Sequence, residues 1–261
     1  KKRNMTNNYA RHEQNFLTYV DSFLQNKNEP CLILKREHTL RVVSNTEHII
    51  NRLDLSEGDR YCARLIALYH DIGRFLQYET YKTFLDSASK NHAHIAIQVL
   101  KKYNMLDNEP ETIRKKILSA IILHNKLEFP KKLPEEILVL AKIIQDADKL
   151  DIIFVMAENF THSLPEKDSV VLHVKDEPEA YSEHILDLAI RKMPIKYTDL
   201  VYVNDFKILL CGWIFSLHFK ESLKLLIRQG YLRAILSSLP DGQDIRIFQS
   251  MINKELCIND F

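Results

Sequence analysis

Glycine is scarce in this chain, with five residues in 261. So few glycines, and few dense turn clusters, favour helices joined by short loops, and no glycine-rich phosphate loop is present. Cysteine is scarce as well. Cys31, Cys62, Cys211 and Cys257 lie far apart without a CxxC pair, which reads as reduced, intracellular thiols sitting singly in the core rather than a disulfide frame. An excess of one charge is also missing. Lys and Arg number 36 against 35 Asp and Glu, a net charge of +1, so there is no electrostatic footprint for nucleic acid or an anionic membrane. The longest uncharged run, Ile208 to Phe219, is too short to span a bilayer, and no signal-peptide pattern is visible. The expectation is a cytoplasmic protein with neither nucleic acid nor membrane as partner. No Ser–His or Cys–His arrangement for covalent catalysis stands out, and no internal repeat appears.

What is present is apolar periodicity. Apolar residues make up 46% and charged residues 27%, the proportions of a globular chain long enough for a substantial core. We expect an all-α fold: a helical core over residues 1–160 and a C-terminal helical extension over 161–261 packed on it. Helical spacing predicts helices over about 8–27, 37–53, 90–103 and 135–159. Ser56 resembles an N-cap for a helix ending near Gly73, and Ser89 a cap for the helix at 90–103. Gln77 to Ser89 reads as an irregular polar stretch at a site entrance. Further on, a short strand is expected at Val170–Val174, then helices at about 179–191, 199–219, 221–238 and 242–256. This last third either shapes a substrate pocket or pairs with another subunit.

The stretch Leu65-Ile66-Ala67-Leu68-Tyr69-His70-Asp71-Ile72-Gly73-Arg74-Phe75 concentrates the chemistry. Ala63, Ile66, Ala67 and His70 share a helical face, so the imidazole points where the aliphatic side chains point. Gly73 suits a left-handed C-cap. A buried imidazole beside a buried carboxylate is costly to desolvate without a partner, and a metal ion is such a partner. The same phase argument turns His38, His92, His124 and Asp148 inward from other helices. Asp146 is the rival to Asp148, and the strip Lys142, Gln145, Asp146 and Lys149 reads as the wet side of its helix. Four imidazoles and two carboxylates converging in a helical core suit two divalent ions. The nitrogen and oxygen donors suit Fe, Mn, Co, Ni, Zn or, less well, Mg. Asp71, next to His70, is the natural bridge.

The order His38…His70-Asp71…Asp148, with Glu37-His38-Thr39-Leu40-Arg41-Val42, His70-Asp71-Ile72-Gly73-Arg74 and Asp146-Ala147-Asp148-Lys149-Leu150-Asp151 around it, resembles the HD-domain superfamily of metal-dependent phosphohydrolases. His92 and His124 fall where the dinuclear branch of that superfamily places two further histidines. The resemblance implies an HD-type helical bundle and hydrolysis of a phosphomonoester or phosphodiester, commonly of a nucleotide, by a metal-activated water. With Asp71 at the metals, Arg74 and Lys149 are the candidate phosphate clamps. Two other readings stay open on the same ligands: a di-iron oxygenase cleaving carbon–carbon or carbon–phosphorus bonds, and a regulatory module that binds a nucleotide without turnover. His48 shares a polar face with Arg41, Ser44 and Asn51. His94 lies on the wet side of its helix but near enough to the mouth to touch substrate. His12, His162, His173, His184 and His218 have no partners at informative spacing.

Overall fold

The computed structural model describes residues 2–25, 29–161 and 174–258. The strand expected at Val170–Val174 falls outside these, apart from its last residue, as do His162 and His173. The described residues are helical without a named strand; their β structure is one isolated parallel bridge, Lys175 to Tyr202. The chain divides into two compact units, Lys1–Asp151 and Ile152–Phe261.

In the first unit the helices are α1 (Lys2–Leu24), α2 (Pro30–Ile50), α3 (Glu57–Tyr69), α4 (Gly73–Tyr81), α5 (His92–Lys102), α6 (Glu111–Leu123) and α7 (Glu135–Thr161), the last running on past Asp151. α2 begins earlier than its stripe predicts, because Pro30 stands in its first turn, where a missing N–H costs nothing. Ser56 caps α3 as expected, its Oγ accepting from Asp59 N at 3.0 Å. The cap of α5 is Asn91 rather than Ser89. Asn91 Oδ1 accepts from the amides of Ala93 and His94 at 3.0 and 3.3 Å. Ser89 sits two residues too early, at the end of the short 3₁₀ turn Asp86–Ala88, and its hydroxyl donates to Leu85 O instead.

α3 packs between α2, α1 and α6, and α4 lies along α5, which in turn meets α6. α3 is the centre: Leu65, Ile66, Ala67, Leu68 and Tyr69 are all fully buried. Burial of each Leu or Ile there contributes about 1.5–3 kcal/mol. Gly73 is not the C-cap of α3. It opens α4 with an ordinary negative φ, and His70 takes the cap position instead. The glycine is needed for a close approach: a Cβ there would lie 2.3 Å from His92 O and 2.5 Å from Ala96 N, both backbone atoms of α5. His70, Asp71 and Ile72 are thus the tight joint between α3 and α4.

In the second unit the helices are α8 (Glu183–Ile190), α9 (Val203–Gly212), α10 (Lys220–Gln229), α11 (Tyr231–Ser237) and α12 (Gln243–Ile258); α8 and α9 are shorter than their apolar patterns predict, and α12 falls where it is expected. α9 passes into a 3₁₀ turn at Trp213–Ser216. The single helix expected over 221–238 is two, broken at Gly230, whose φ of +76° is the left-handed conformation glycine tolerates best. Asp205 accepts from the amides of Ser182, Val201 and Tyr202 and from Ser182 Oγ, fixing the entries to α8 and α9. Cys31, Cys62 and Cys211 are buried thiols outside any disulfide, whereas Cys257, expected in the core, is exposed on α12. No helix among the described residues is long and apolar enough to cross a membrane.

Candidate metal centre

His70 and His124 reach the first unit's interior by one local device. Each sits at the C-cap of its helix, α3 or α6, and turns its imidazole back onto a carbonyl of the last turn. His70 Nδ1 donates to Ala67 O at 2.8 Å, and His124 Nδ1 to Ile121 O at 2.6 Å. Carbonyls at a helix end lack intrahelical partners, so the bond satisfies them and aims Nε2 outward along the helix axis. His92 is the first residue of α5, and its Nδ1 lies 2.8 Å from Asp86 Oδ2. His38 lies on the buried face of α2, with Nδ1 2.6 Å from Asp151 Oδ2 on α7.

These four Nδ1 atoms all face acceptors, carbonyls or carboxylates, so each carries a proton and Nε2 is the nitrogen left to coordinate. The four Nε2 atoms converge on Asp71. Its Oδ2 lies 3.6 Å from His38 Nε2 and 3.9 Å from His70 Nε2. Its Oδ1 lies 3.5 Å from His92 Nε2 and 3.9 Å from His124 Nε2. Asp148 Oδ1 completes the first set, 3.1 Å from His38 Nε2 and 3.8 Å from His70 Nε2. The donors His38, His70 and Asp71 form one compact triad, and Asp71, His92 and His124 another.

The arrangement is in deficit of positive charge at its centre. His38 Nε2 and His70 Nε2 are buried with no hydrogen-bond partner. His92 Nε2 and His124 Nε2 stand 3.0 Å apart, two lone pairs facing each other. Burial lowers the pKa of His70, and pushes those of His92 and His124 down to about 4, so protons do not fill this gap near neutral pH. At His38 burial and Lys35 act downward, yet the Asp148 and Asp151 carboxylates prevail and hold it up at about 9. Asp71 is fully buried; desolvation opposes its charge, but Lys35, Arg74 and the neighbouring imidazoles keep it ionised well below the usual carboxylate range. An ionised bridge, three neutral imidazoles with inward lone pairs and a fourth, His38, that would release its proton to a cation fit divalent ions.

A family model agrees with this geometry: residues 36–153 match the model for the HD domain. The chain carries an HD domain. No curated protein and no solved structure matches the chain. An HD domain indicates a metal-dependent hydrolase superfamily, and the HD doublet itself is His70-Asp71, at the joint between α3 and α4.

Within the HD domain all six sequence-derived donors, His38, His70, Asp71, His92, His124 and Asp148, come together. Asp146 does not face solvent as its strip suggests; it is fully buried, and Gln145 is also buried, donating to Leu123 O and Lys126 O. α7 is apolar around most of its circumference and buried on most of it, so it has no wet side to read. Asp148, not Asp146, presents an oxygen to His38. Arg74 is no surface charge. Its Nη1 donates to Gln77 Oε1, Phe84 O and Asp86 Oδ1, and its Nε lies 3.4 Å from Asp71 Oδ1. Lys149 is half-buried, and burial lowers its pKa, with Asp146 and Asp148 acting in the other direction. Helical phase alone misses Asp151, Asp86, Arg41 and Lys35. Asp151 holds His38 and receives Arg41 Nε at 2.6 Å; its signal was its place one turn beyond Asp148. Asp86 comes from a non-periodic segment and had no signal. His12, without an informative partner in sequence, is fully buried between the Tyr69 hydroxyl and Glu109, each at 3.0 Å.

Proposed function

We propose that this HD-domain protein hydrolyses a phosphate ester or anhydride of a nucleotide or similar small phosphorylated molecule, using two divalent ions and an activated water. The observation that carries the reading is Asp71: one buried carboxylate offers one oxygen to His38 and His70 and the other to His92 and His124. That is how a bridging ligand addresses two ions. Divalent ions held there supply a water acidified towards neutral pH and a Lewis acid for a phosphoryl oxygen.

The chain's own residues do the rest. Asp151, itself held by Arg41, and Asp86, held by Arg74, keep His38 and His92 in the tautomer that coordinates and raise their basicity. The Ala67 and Ile121 carbonyls do the same for His70 and His124. Arg74 and Lys149 bring positive charge to the centre and are assigned to the phosphate, Arg74 from a position fixed by Gln77, Phe84 and Asp86. We expect the reaction to take place in the cytoplasm, where free thiols stay reduced.

The test is a panel of nucleotides and phosphomonoesters incubated with Mn²⁺-loaded protein with and without oxygen. Release of phosphate or a nucleotide product in both conditions, abolished by Asp71→Ala, supports the proposal. Oxygen consumption with a polyol or phosphonate, or tight nucleotide binding without product, overturns it in favour of an oxygenase or a binding module.

A further inference from the structure

Among the described residues Arg41, Arg74 and Lys35 form ion pairs with carboxylates of the centre, and they differ in what else they hold. Arg41 binds Asp151, which lies behind His38. Arg74 binds Asp86, behind His92. Lys35 sits one turn before His38 on α2, and the carboxylate it meets among the described residues is the bridge itself, with Nζ 3.0 Å from Asp71 Oδ2. Its side chain is 19% exposed, as is that of Asp148, whereas those of His38, His70, Asp71, His92 and His124 are exposed by 5% or less. Of the side chains that meet Asp71 or an imidazole Nε2, Lys35 and Asp148 are thus the most exposed. The Lys35 ammonium also stands 5.4 Å from the centre of the Phe84 ring, which packs on Tyr78 at 4.9 Å. An aromatic face attracts a cation and fixes its position without supplying a counter-ion.

Resting on the phosphohydrolase reading above, we propose that Lys35 is a substrate-binding residue of this centre: it grips the phosphate, with Phe84 holding its ammonium in place. The reasoning is one of competition. If Asp71 held divalent ions, its carboxylate would be shared with them and Lys35 would lose the partner it now has. Arg41 and Arg74 keep their carboxylates when this happens, and Lys35 is left with an aromatic wall and partial exposure. An incoming dianion supplies the missing partner. A lysine suits the task as a compact point charge with three donors.

The rival role is that of a counter-ion that merely stabilises Asp71. Lys35→Met keeps the stem and removes the charge, and Lys35→Arg restores charge with altered shape. Each is folded-state-checked by thermal unfolding, loaded with Mn²⁺, analysed for metal content, and titrated with inorganic phosphate. The expected result is that Lys35→Met retains the wild-type metal content, weakens phosphate binding by about tenfold or more, and raises KM more than it lowers kcat. Lys35→Arg recovers part of the phosphate affinity. Equal phosphate affinity in wild type and Lys35→Met overturns the assignment and leaves the hydrolase reading intact. So does loss of metal in Lys35→Met, which assigns the counter-ion role. Should Lys35→Met not fold, Lys35→Gln, which also removes the charge, takes its place, and unchanged phosphate affinity in folded Lys35→Gln overturns the assignment. A wild-type protein that binds metal but neither phosphate nor any phosphate ester sinks both readings together.

Discussion

Gly73→Ala is a small change with a large expected effect. Helix propensity alone favours alanine by up to about 1 kcal/mol, less in the first turn where Gly73 sits. Sterics oppose this. The new Cβ would stand 2.3 Å from His92 O and 2.5 Å from Ala96 N, both main-chain atoms that cannot swing away. Relief requires α4 and α5 to part, and overpacking of that kind costs about 1–3 kcal/mol, here at the upper end. Sterics win, for a net loss of about 2 kcal/mol, or a fall in Tm of about 4–8 °C for a chain this long. The displacement also has a direction. His92 is the residue pushed, so the set Asp71, His92 and His124 opens while His38, His70 and Asp148 keep their places. Differential scanning fluorimetry and elemental analysis on the same preparation check both parts, metal content falling from two ions towards one. A Gly73→Ala protein as stable as wild type with both ions retained would refute the close-approach reasoning.

Other perturbations separate the supports of the centre. Asp151→Asn leaves His38 without its carboxylate and Arg41 without its partner; metal affinity should fall about 10–100-fold, read from a Mn²⁺ titration. Asp86→Asn should do the same through His92 while sparing the His38 side, so the two variants differ in which ion a chelator removes first. Gly230→Ala meets no atom within 4 Å but holds a φ of +76°, so strain alone should cost about 1 kcal/mol and about 2–4 °C. In the metal-free protein, burial lowers the pKa of His12, His70, His92 and His124. The unfolded chain then takes up protons first, so stability should decline as pH falls below about 6.5. Chemical denaturation at pH 6.5 and 5.5 checks the sign, and a flat or rising profile between them contradicts it; His38, held up at about 9, acts above that window.

The six donors were legible in the sequence because each lies in phase with an aliphatic stripe, and a stripe reports which way a side chain points. What the stripes could not report is what stands behind a donor. Asp86 lies in a turn with no period, and Lys35 precedes its helix's first inward histidine by one turn, where a lysine reads as a solvated charge. Asp146 misled for the opposite reason: on a helix buried nearly all round, a strip of polar residues does not mark the solvent side. Gly73 looked like a cap because local rules see only the chain's own turn, whereas its cause is the backbone of α5. In the second unit, apolar continuity over 199–219 and 221–238 concealed the 3₁₀ turn after Gly212 and the break at Gly230, since hydrophobic pattern marks burial and not backbone continuity.

Metal stoichiometry tests the central claim most directly. Wild-type protein loaded with Mn²⁺ and freed of excess should carry two ions per chain, and Asp71→Ala should carry none while remaining folded by circular dichroism. A wild-type protein that holds no ion under these conditions, or an Asp71→Ala variant that still holds two, would contradict the account.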